Sequence, residues 1–303
     1  MDIAVTGSTG LIGTALCRRL EADGDRVIRV VRRRVAADEA AIRWDPAAGI
    51  IDAASLEGVG AVVHLAGAGI GDKRWSVERK REILESRTKG TALLAATLAG
   101  LERKPDVLVS GSAIGFYGDR GDEVLTEQSE PGNDFLAEIC TAWEAEARPA
   151  ADAGIRVATI RTGVVLSRDG GALAKLLPLF KVGAGGKFGS GRQWWSWISL
   201  DDEIAAIRHL IDHPVSGPVN LTAPNPETNA AFTKVLGRVL GRPSFLAVPA
   251  FGPKLLVGGE LAEALLFTSA KVLPEALESS GFTFAHPDLE SALRSVLGKE
   301  KTT

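Results

Sequence analysis

Short runs of apolar residues alternate with helical patterns over the first half of the chain. The runs are rich in Val and Ile and end at glycine or charged residues, which is typical of strands buried on both faces of a parallel sheet. We predict strands at residues 3–6, 25–31, 41–44, 60–67, 105–110 and 155–161, and helices from residue 11, at 76–99 and at 135–153. Strands that alternate with helices imply right-handed crossovers. The pattern therefore predicts an α/β fold with a doubly wound parallel sheet.

The second half of the chain is less regular. Its pattern predicts strands at residues 194–198 and 217–222, a flexible glycine-rich turn at 183–191, and helices at 170–182, 201–213, 229–240, 251–266, 270–279 and 288–297. Pro224 and Pro226 mark the boundary that we expect between two domains. The first domain would comprise residues 1–223, with an insertion around 166–200. The second would be a small, mostly helical domain at 224–303.

A glycine motif follows the first predicted strand, with the spacing G-x-x-G-x-x-G from Gly7 to Gly13. In dinucleotide folds these glycines permit a tight turn, close approach of the backbone to a pyrophosphate, and packing of the helix on the strand. The N–H groups of the helix N-terminus then face the phosphates. A tight turn without a ligand is the alternative, but the order of strand, turn and helix favours a nucleotide site. We predict cofactor contacts from Gly7, Thr9, Gly10, Leu11, Ile12 and Gly13.

The second predicted strand ends in Arg32, Arg33 and Arg34, and the next acidic residue is Asp38. At this place an acidic residue binds the 2′-hydroxyl of NAD, whereas arginine accommodates the 2′-phosphate of NADP. A solvated basic turn is the alternative. The spacing from the glycine motif favours Arg32 and Arg33 as a site for NADP(H).

Composition narrows the class of protein further. The chain has 303 residues, 45% hydrophobic and 24% charged, with a formal net charge of −3. This gives no electrostatic reason to expect nucleic acid or an anionic membrane as a partner. Two isolated cysteines, Cys17 and Cys140, form neither a disulfide framework nor a metal cluster, so we expect no metal and a reducing compartment. No apolar run is long enough to span a membrane and the first strand starts after Met1, so we expect a cytoplasmic protein.

Several further motifs carry a resemblance to a known superfamily. They are V-V-H-L-A-G at residues 62–67, R-T-K-G-T at 87–91, S-G-S at 110–112 before F-Y-G at 116–118, and R-T-G-V-V at 161–165. With the glycine motif, residues 1–223 resemble the extended short-chain dehydrogenase/reductases, the group of nucleotide-sugar epimerases and dehydratases. The resemblance implies a Rossmann domain with a substrate region, and cofactor contacts from Leu65, Ala66, Gly67 and Arg87. An outward, salt-bridging Arg87 is the alternative.

A narrower resemblance rests on Arg74-Trp75, on the helix beginning at Phe135 with Trp143-Glu144, and on S-W-I at 196–198. These residues resemble an epimerase-like subfamily of NADP-binding oxidoreductases with unknown substrates, sometimes labelled as SulA-type proteins. From about residue 249 the chain resembles the small helical C-terminal domain of that subfamily. The resemblance implies NADP(H), an unknown small-molecule substrate, and a homodimer formed through the helices at about 76–100 and 135–153.

The catalytic pair of the superfamily is missing from this sequence. Its members carry Y-x-x-x-K, in which tyrosine exchanges the proton and lysine lowers the pKa of the tyrosine. Phe135 and Ile139 occupy those two places, and the only tyrosine, Tyr117, is followed four residues later by Gly121. Ser112 keeps the serine position of the superfamily. Ser112 and Tyr117 are therefore the remaining catalytic candidates, although a structural role for Tyr117 is an alternative.

For several other residues the sequence allows either a functional or a structural role. Lys187 and Arg192 would bind an anionic substrate or be solvated, Cys140 would be a small buried residue, and His64 is interpreted as packed. The three residues Trp194, Trp195 and Trp197 would pack or line a substrate pocket. Two functions therefore remain: an NADP-dependent oxidoreductase with altered acid–base groups, or a non-catalytic NADP-binding module that regulates a partner.

Overall fold

The computed structural model describes residues 1–36 and 39–299, so Asp38 lies outside the described residues. The strands are β1 (Asp2–Thr6), β2 (Arg26–Val31), β3 (Ala41–Asp45), β4 (Ile50–Ile51), β5 (Ala61–His64), β6 (Val107–Ala113), β7 (Val124–Leu125), β8 (Arg156–Thr162), β9 (Val164–Leu166), β10 (Gly186–Phe188), β11 (Trp194–Trp195), β12 (Trp197–Ser199), β13 (Gly217–Leu221), β14 (Glu227–Thr228), β15 (Leu246–Val248) and β16 (Lys271–Val272). The helices are α1 (Leu11–Ala22), α2 (Val77–Ala99), α3 (Phe135–Ala145), α4 (Arg148–Asp152), α5 (Gly171–Lys181), α6 (Leu200–Asp212), α7 (Asn229–Leu240), α8 (Phe251–Val257), α9 (Gly259–Ala262), α10 (Glu275–Ser279) and α11 (Leu289–Val296).

An eight-stranded sheet organises the first part of the chain. Its strand order is β13-β8-β6-β5-β1-β2-β3-β4, and all neighbours are parallel except β3 and β4. The chain moves outward from β1 through β2 and β3, then returns to the other side of β1 with β5. The order of strands thus reverses between β1 and β5, where ligands bind beyond the carboxyl ends of the strands. The predicted doubly wound α/β fold is confirmed.

Helices cover both faces of this sheet. Ile3 and Val5 of β1 pack with apolar residues of α1 and α6 in one core cluster, whereas Ala4 points to the opposite face and packs with residues of α2 and α4. Successive side chains of a strand point to opposite faces, so a strand buried on both faces is apolar at most of its positions. This arrangement explains the uninterrupted apolar runs in the sequence.

Three predicted helices are wrong in their bounds, and a special residue explains each difference. The helix predicted at 135–153 ends at Ala145 and restarts near Pro149, which cannot donate to the preceding turn. The helix predicted at 251–266 is interrupted by Gly258, whose φ of 102° is not helical. The helix predicted at 270–279 begins only after Pro274, and β16 lies in its first part.

The predicted turn at 183–191 and the predicted strand at 194–198 also differ from the structure. The turn contains the short strand β10, which pairs with β15. The residues of the predicted strand form two short strands, β11 and β12, which pair with β14 and β9 respectively.

The C-terminal part of the chain packs in two places. Leu289, Ala292 and Leu293 of α11 share a core cluster with residues of α5 and α7, whereas Leu277 of α10 joins the core of the large sheet. The domain boundary at residue 224 stays a prediction. None of the helices in residues 1–36 and 39–299 is long and apolar enough to cross a membrane.

Candidate functional site

The glycine motif forms the tight turn between β1 and α1. Gly7 has a φ of 65°, a conformation that side chains disfavour. A Cβ at Gly7 would lie 2.7 Å from the carbonyl carbon of Leu65, and a Cβ at Gly13 would collide with the carbonyl group of Gly7. Two of the three glycines are therefore required by close backbone contacts. Gly10 caps α1, whose N-terminus faces the carboxyl edge of the sheet.

A cavity of about 850 Å³ opens at this edge of the sheet. It is lined by residues 7–10, 30–33, 44–47 and 65–69, together with Asp72, Lys73, Arg79, Glu82, Glu85, Ser86 and Lys89. These segments lie at the carboxyl ends of β1, β2, β3 and β5, and the last group belongs to the N-terminal half of α2 and the loop before it. The cavity thus occupies the position at which the strand order reverses.

The structure brings most of the predicted cofactor residues to this cavity. Gly7, Thr9, Gly10, Arg32, Arg33, Leu65, Ala66 and Gly67 all line it. The other four lie behind it: Gly13 packs on Gly7, Leu11 contacts Gly170, Ile12 packs on the core, and Arg87 lies beneath Gly67.

Sequence reasoning missed the charged residues that α2 and its preceding loop bring to the cavity. Arg79 is buried, and its guanidinium donates to the Gly69 carbonyl and, at 2.7 Å, to Glu82. The bond from Arg79, with the nearby charges of Lys73 and Arg32, holds the pKa of the Glu82 carboxyl below its usual range. The spacing of Arg79 and Glu82 on one helical turn was the available signal, but nothing in it pointed to the cavity.

The two predicted phosphate-binding arginines differ in their surroundings. Arg33 forms an exposed ion pair with Glu39 and also donates to the Arg34 carbonyl. Arg32 makes no hydrogen bond or ion pair with another described residue. A ligand anion would therefore compete with Glu39 for Arg33, but would meet no such competitor at Arg32 within the described part of the chain.

The cavity wall after β5 is held by side chains from three elements. Thr6 accepts hydrogen bonds from the N–H groups of Leu65 and Ala66, and Ser86 accepts from the N–H of Ala68. Arg87 donates to the carbonyl of Ala68 at 3.0 Å and stacks on Trp143 at 5.0 Å. Burial lowers the pKa of Arg87 to about 10. Arg87 is thus an inward residue that supports the wall.

Ser112 lies at the carboxyl end of β6 and belongs to a buried polar network. Its hydroxyl donates to Glu144 at 2.7 Å. Arg161 donates to both oxygens of the same carboxylate, each at 2.9 Å, and stacks on Phe116 at 3.4 Å. Such a bidentate pair fixes the carboxylate in one orientation.

Tyr117 is fully buried on the far side of Arg161. Its hydroxyl donates to Asn220 at 2.6 Å and accepts from Arg161 at 3.0 Å. Burial raises the pKa of this phenol, which makes it a poorer proton donor at neutral pH. Neither Tyr117 nor Ser112 lines the cavity. For Tyr117, complete burial and a hydroxyl already bound to Asn220 and Arg161 favour the structural alternative.

The places of the usual tyrosine and lysine are apolar. Phe135 packs edge-on against Trp75 at 5.0 Å, and Ile139 is buried in the same cluster with Ile70 and Ile83. Lys80 of α2 lies 4.8 Å above the Phe135 ring and pairs with Glu260 of α9. The apolar filling therefore also forms a contact between α2, α3 and the C-terminal part of the chain.

Most of the residues for which the sequence allows either role are packed in the core or held by hydrogen bonds. Burial raises the pKa of Cys140 to about 11, so its thiol stays protonated. Trp195 and Trp197 are core residues, while Trp194 donates to Asp122. The other two candidates lie elsewhere: Lys187 lines a separate depression of about 360 Å³ with Lys234 and Phe245, and Arg192 is exposed.

Two observations test whether a dinucleotide fits the cavity. The hydroxyl of Ser8 is buried and has no hydrogen-bond partner among the described residues, and the same holds for Nε of Arg79. Both residues line the cavity. Donors without partners in the lining of a cavity that also contains a glycine turn suit a phosphorylated ligand, so the residues fit a dinucleotide. Within the described ranges, no group of His, Cys, Asp and Glu could hold a metal ion.

Fold and cavity together define an α/β protein of the Rossmann class with an NAD(P)-type site. The family model for the NAD dependent epimerase/dehydratase family matches residues 3–222, and a domain of unknown function (DUF1731) matches residues 248–296. The chain belongs to the NAD dependent epimerase/dehydratase family, which confirms the resemblance inferred from its motifs.

The chain is similar in sequence and structure to several epimerase proteins. It is 44% identical to the epimerase family protein Mb2239 of Mycobacterium bovis, over 96% of each chain. The crystal structure of human epimerase family protein SDR39U1 with NADPH superposes with a TM-score of 0.91, at 33% identity over 99% of this chain and 100% of that one. A nucleoside-diphosphate sugar epimerase from Corynebacterium glutamicum gives a TM-score of 0.80 at 41% identity, over 99% of this chain and 59% of that one.

Proposed function

We propose that the chain binds NADP(H) in the cavity and acts as an epimerase-like oxidoreductase on a small molecule. The observation that carries the proposal is the cavity itself, in which the glycine turn, the arginines after β2 and the wall after β5 line one space. Gly7, Ser8 and Gly10 would hold the pyrophosphate. Arg32 and Arg33 would hold the 2′-phosphate.

Charge supports NADP(H) over NAD(H). Guanidinium groups match a phosphate with several parallel hydrogen bonds, and Arg32, Lys73 and Arg79 all line the cavity. The human relative was crystallised with NADPH, which supports the same choice.

Proton transfer is the part of the reaction that the chain itself must supply. When bound, a nicotinamide ring gives or accepts a hydride. We assign the transfer of the proton to Ser112, whose hydroxyl already donates a hydrogen bond to Glu144. Oγ of Ser112 would take the proton of a substrate hydroxyl while its own proton passes to the Glu144 carboxylate. Arg161 balances the charge of that carboxylate before transfer.

A binding experiment tests the cofactor. NADPH and NADH are titrated separately into the purified protein, and the fluorescence of the reduced nicotinamide is followed. We expect the double variant R32A/R33A to weaken NADPH binding at least about tenfold more than NADH binding, because only NADPH carries the extra phosphate. Arg34→Ala is the matched control, since Arg34 does not line the cavity. Equal losses for both cofactors would contradict the assignment.

A turnover experiment tests the reaction. The protein and NADPH are incubated with a panel of carbonyl compounds and nucleotide sugars, and the absorbance of the reduced cofactor is followed. We expect turnover with at least one compound and a loss of about a hundredfold or more in Ser112→Ala, the usual contribution of a positioned acid or base. Tight NADPH binding without turnover across the panel would count against an enzyme and in favour of a non-catalytic NADP-binding module.

A further inference from the structure

A chain of four buried side chains connects the cavity wall to helices α2 and α3. We call it the His64 relay; its members are Thr6 at the end of β1, His64 at the end of β5, Thr91 of α2 and Trp143 of α3. Thr6 and His64 have no solvent exposure, and the other two are also buried. Because these groups are cut off from water, each donor and acceptor must be satisfied within the relay or by the adjacent backbone.

The distances describe an unbroken series of hydrogen bonds. Thr6 Oγ1 lies 2.7 Å from Nδ1 of His64, and Nε2 of His64 lies 3.0 Å from Oγ1 of Thr91. Thr91 also accepts from the indole N–H of Trp143 at 2.8 Å and donates to the carbonyl of Arg87 at 2.9 Å. At the other end, Thr6 accepts from the N–H groups of Leu65 and Ala66 at 3.1 and 3.2 Å.

Counting donors and acceptors leaves one arrangement of protons. A hydroxyl has one proton and two lone pairs. Thr91 donates its proton to the Arg87 carbonyl, so it must accept from Nε2 of His64. Thr6 already accepts two backbone bonds, so its proton must go to Nδ1 of His64. The ring is therefore neutral and protonated on Nε2, and burial lowers the pKa of His64 to about 4, which keeps it neutral at pH 7.

The cavity end of the relay adjoins the glycine turn. Thr6 precedes Gly7 directly, and the space that a Cβ of Gly7 would fill is occupied by the carbonyl group of Leu65 and the N–H of Ala66. The bonds from Leu65 and Ala66 to Thr6 thus set the spacing between the turn and the wall, both of which line the cavity. A displaced wall would open or close the space beside the predicted pyrophosphate site.

We propose that His64 is a positioning residue for the cofactor site: by accepting a hydrogen bond from Thr6 it fixes the Thr6 hydroxyl as the acceptor for the wall, and so sets the affinity for NADPH. This proposal rests on the proposed function. Its other bond, to Thr91, fastens the ring to α2 and contributes to stability rather than to the shape of the cavity. The two nitrogens of one ring therefore have separable roles.

Two substitutions separate the two nitrogens. In His64→Asn the amide oxygen takes the place of Nδ1 and can accept from Thr6, while the bond to Thr91 is lost. In His64→Gln the amide reaches the place of Nε2 and can donate to Thr91, while the bond from Thr6 is lost. We expect the dissociation constant for NADPH to stay within about threefold of wild type in H64N and to rise about tenfold in H64Q, although both lose a buried hydrogen bond. Thermal unfolding without cofactor checks that both variants are folded at the temperature of the titration.

Equal affinities in two folded variants would overturn the proposal, as would a larger loss in H64N. Thr6→Val and Thr6→Ser provide a second pair: we expect the valine variant to bind NADPH about tenfold more weakly and the serine variant to restore binding. If the histidine variants do not fold, the two Thr6 variants test the proposal, and equal NADPH affinities of the valine and serine variants would overturn it.

The wild-type protein offers a test that needs no folded variant. Nitrogen-15 NMR of the imidazole rings at pH 7 reports which nitrogen of His64 carries the proton. We expect a neutral ring protonated on Nε2, and a ring protonated on Nδ1 or a charged ring would overturn the relay. Failure of wild-type protein to bind NADPH would instead refute the proposed function, and the NMR result would still test the relay.

Discussion

The pH dependence of stability provides a test of one buried carboxyl group. Glu203 lies in the first turn of α6 and has no solvent exposure. Its Oε1 accepts from the Thr162 hydroxyl at 2.9 Å, and its Oε2 has no partner among the residues described. Burial raises the pKa of Glu203 to about 8 from an ordinary 4.5. The folded protein thus retains a proton that the unfolded chain loses at much lower pH.

The sign and size of the effect follow from that difference. Between pH 4.5 and 8 the folded state binds more protons than the unfolded chain, so the free energy of unfolding falls as the pH rises. Below pH 6.5 His64 acts in the opposite direction, because burial lowers its pKa to about 4. From pH 6.5 Glu203 should lower the free energy of unfolding by about 1.4 kcal/mol per pH unit, and by about half of that near pH 8, where half of the folded molecules have lost the proton. The loss from pH 6.5 to 8 is about 1.7 kcal/mol in all. Glu127, whose pKa burial also raises, acts in the same direction as Glu203.

Glu203→Gln isolates this contribution, because glutamine keeps the bond to Thr162 and cannot ionise. Urea unfolding is measured at pH 6.5, 7.2 and 8.0 for the wild type and the variant. We expect the free energy of unfolding of the variant to rise by about 1.7 kcal/mol relative to that of the wild type over this range. Glu102→Gln, at an exposed position, should show no such divergence. Parallel curves for wild type and E203Q would refute the assignment of a protonated, buried Glu203.

Two further predictions concern the glycine turn and the apolar cluster. Gly7→Ala should lower the free energy of unfolding by about 1–3 kcal/mol more than Gly24→Ala in urea unfolding, since both glycines have positive φ but only Gly7 lacks space for a Cβ. Equal costs would contradict the close contact with Leu65. Ile139→Lys should cost several kcal/mol because it buries an ammonium group in an apolar cluster, whereas Ile139→Met should cost less than about 1.5 kcal/mol. A lysine variant as stable as the methionine variant in the same assay would show that Ile139 is not enclosed.

The sheet and the glycine turn could be predicted because their signals are local. Buried parallel strands are mainly apolar on both faces, and the sequence shows this directly in β1, in β5 and in the first three residues of β6. The G-x-x-G-x-x-G spacing reports a steric requirement that the structure displays at Gly7 and Gly13. The position of the cavity then follows from the order of the strands.

The charged part of the cavity could not be predicted in the same way. Lys73 and Arg79 reach it only because the loop before α2 folds back over the sheet edge, where Arg79 binds the Gly69 carbonyl. Such a contact depends on tertiary packing and has no periodic signal. The short pairing of β7 with β16 is similar, because two-residue strands from distant parts of the chain leave no pattern. The break in the predicted helix at Pro149, in contrast, was available from the sequence.

The absence of the usual tyrosine and lysine is accompanied by a different environment at each end of α3. At the N-terminal end of α3, Phe135 and Ile139 contribute to an apolar cluster that also holds Trp75. Near the C-terminal end of the same helix, Glu144 binds the hydroxyl proton of Ser112 and is itself held by Arg161. Nine residues of helix, or about 13 Å, separate Phe135 from Glu144. Returning tyrosine and lysine to α3 would therefore bury a charge in the apolar cluster at one end of the helix. At the other end, the hydroxyl of Ser112 would still donate to Glu144. Those two changes alone would thus not rebuild the usual acid–base group.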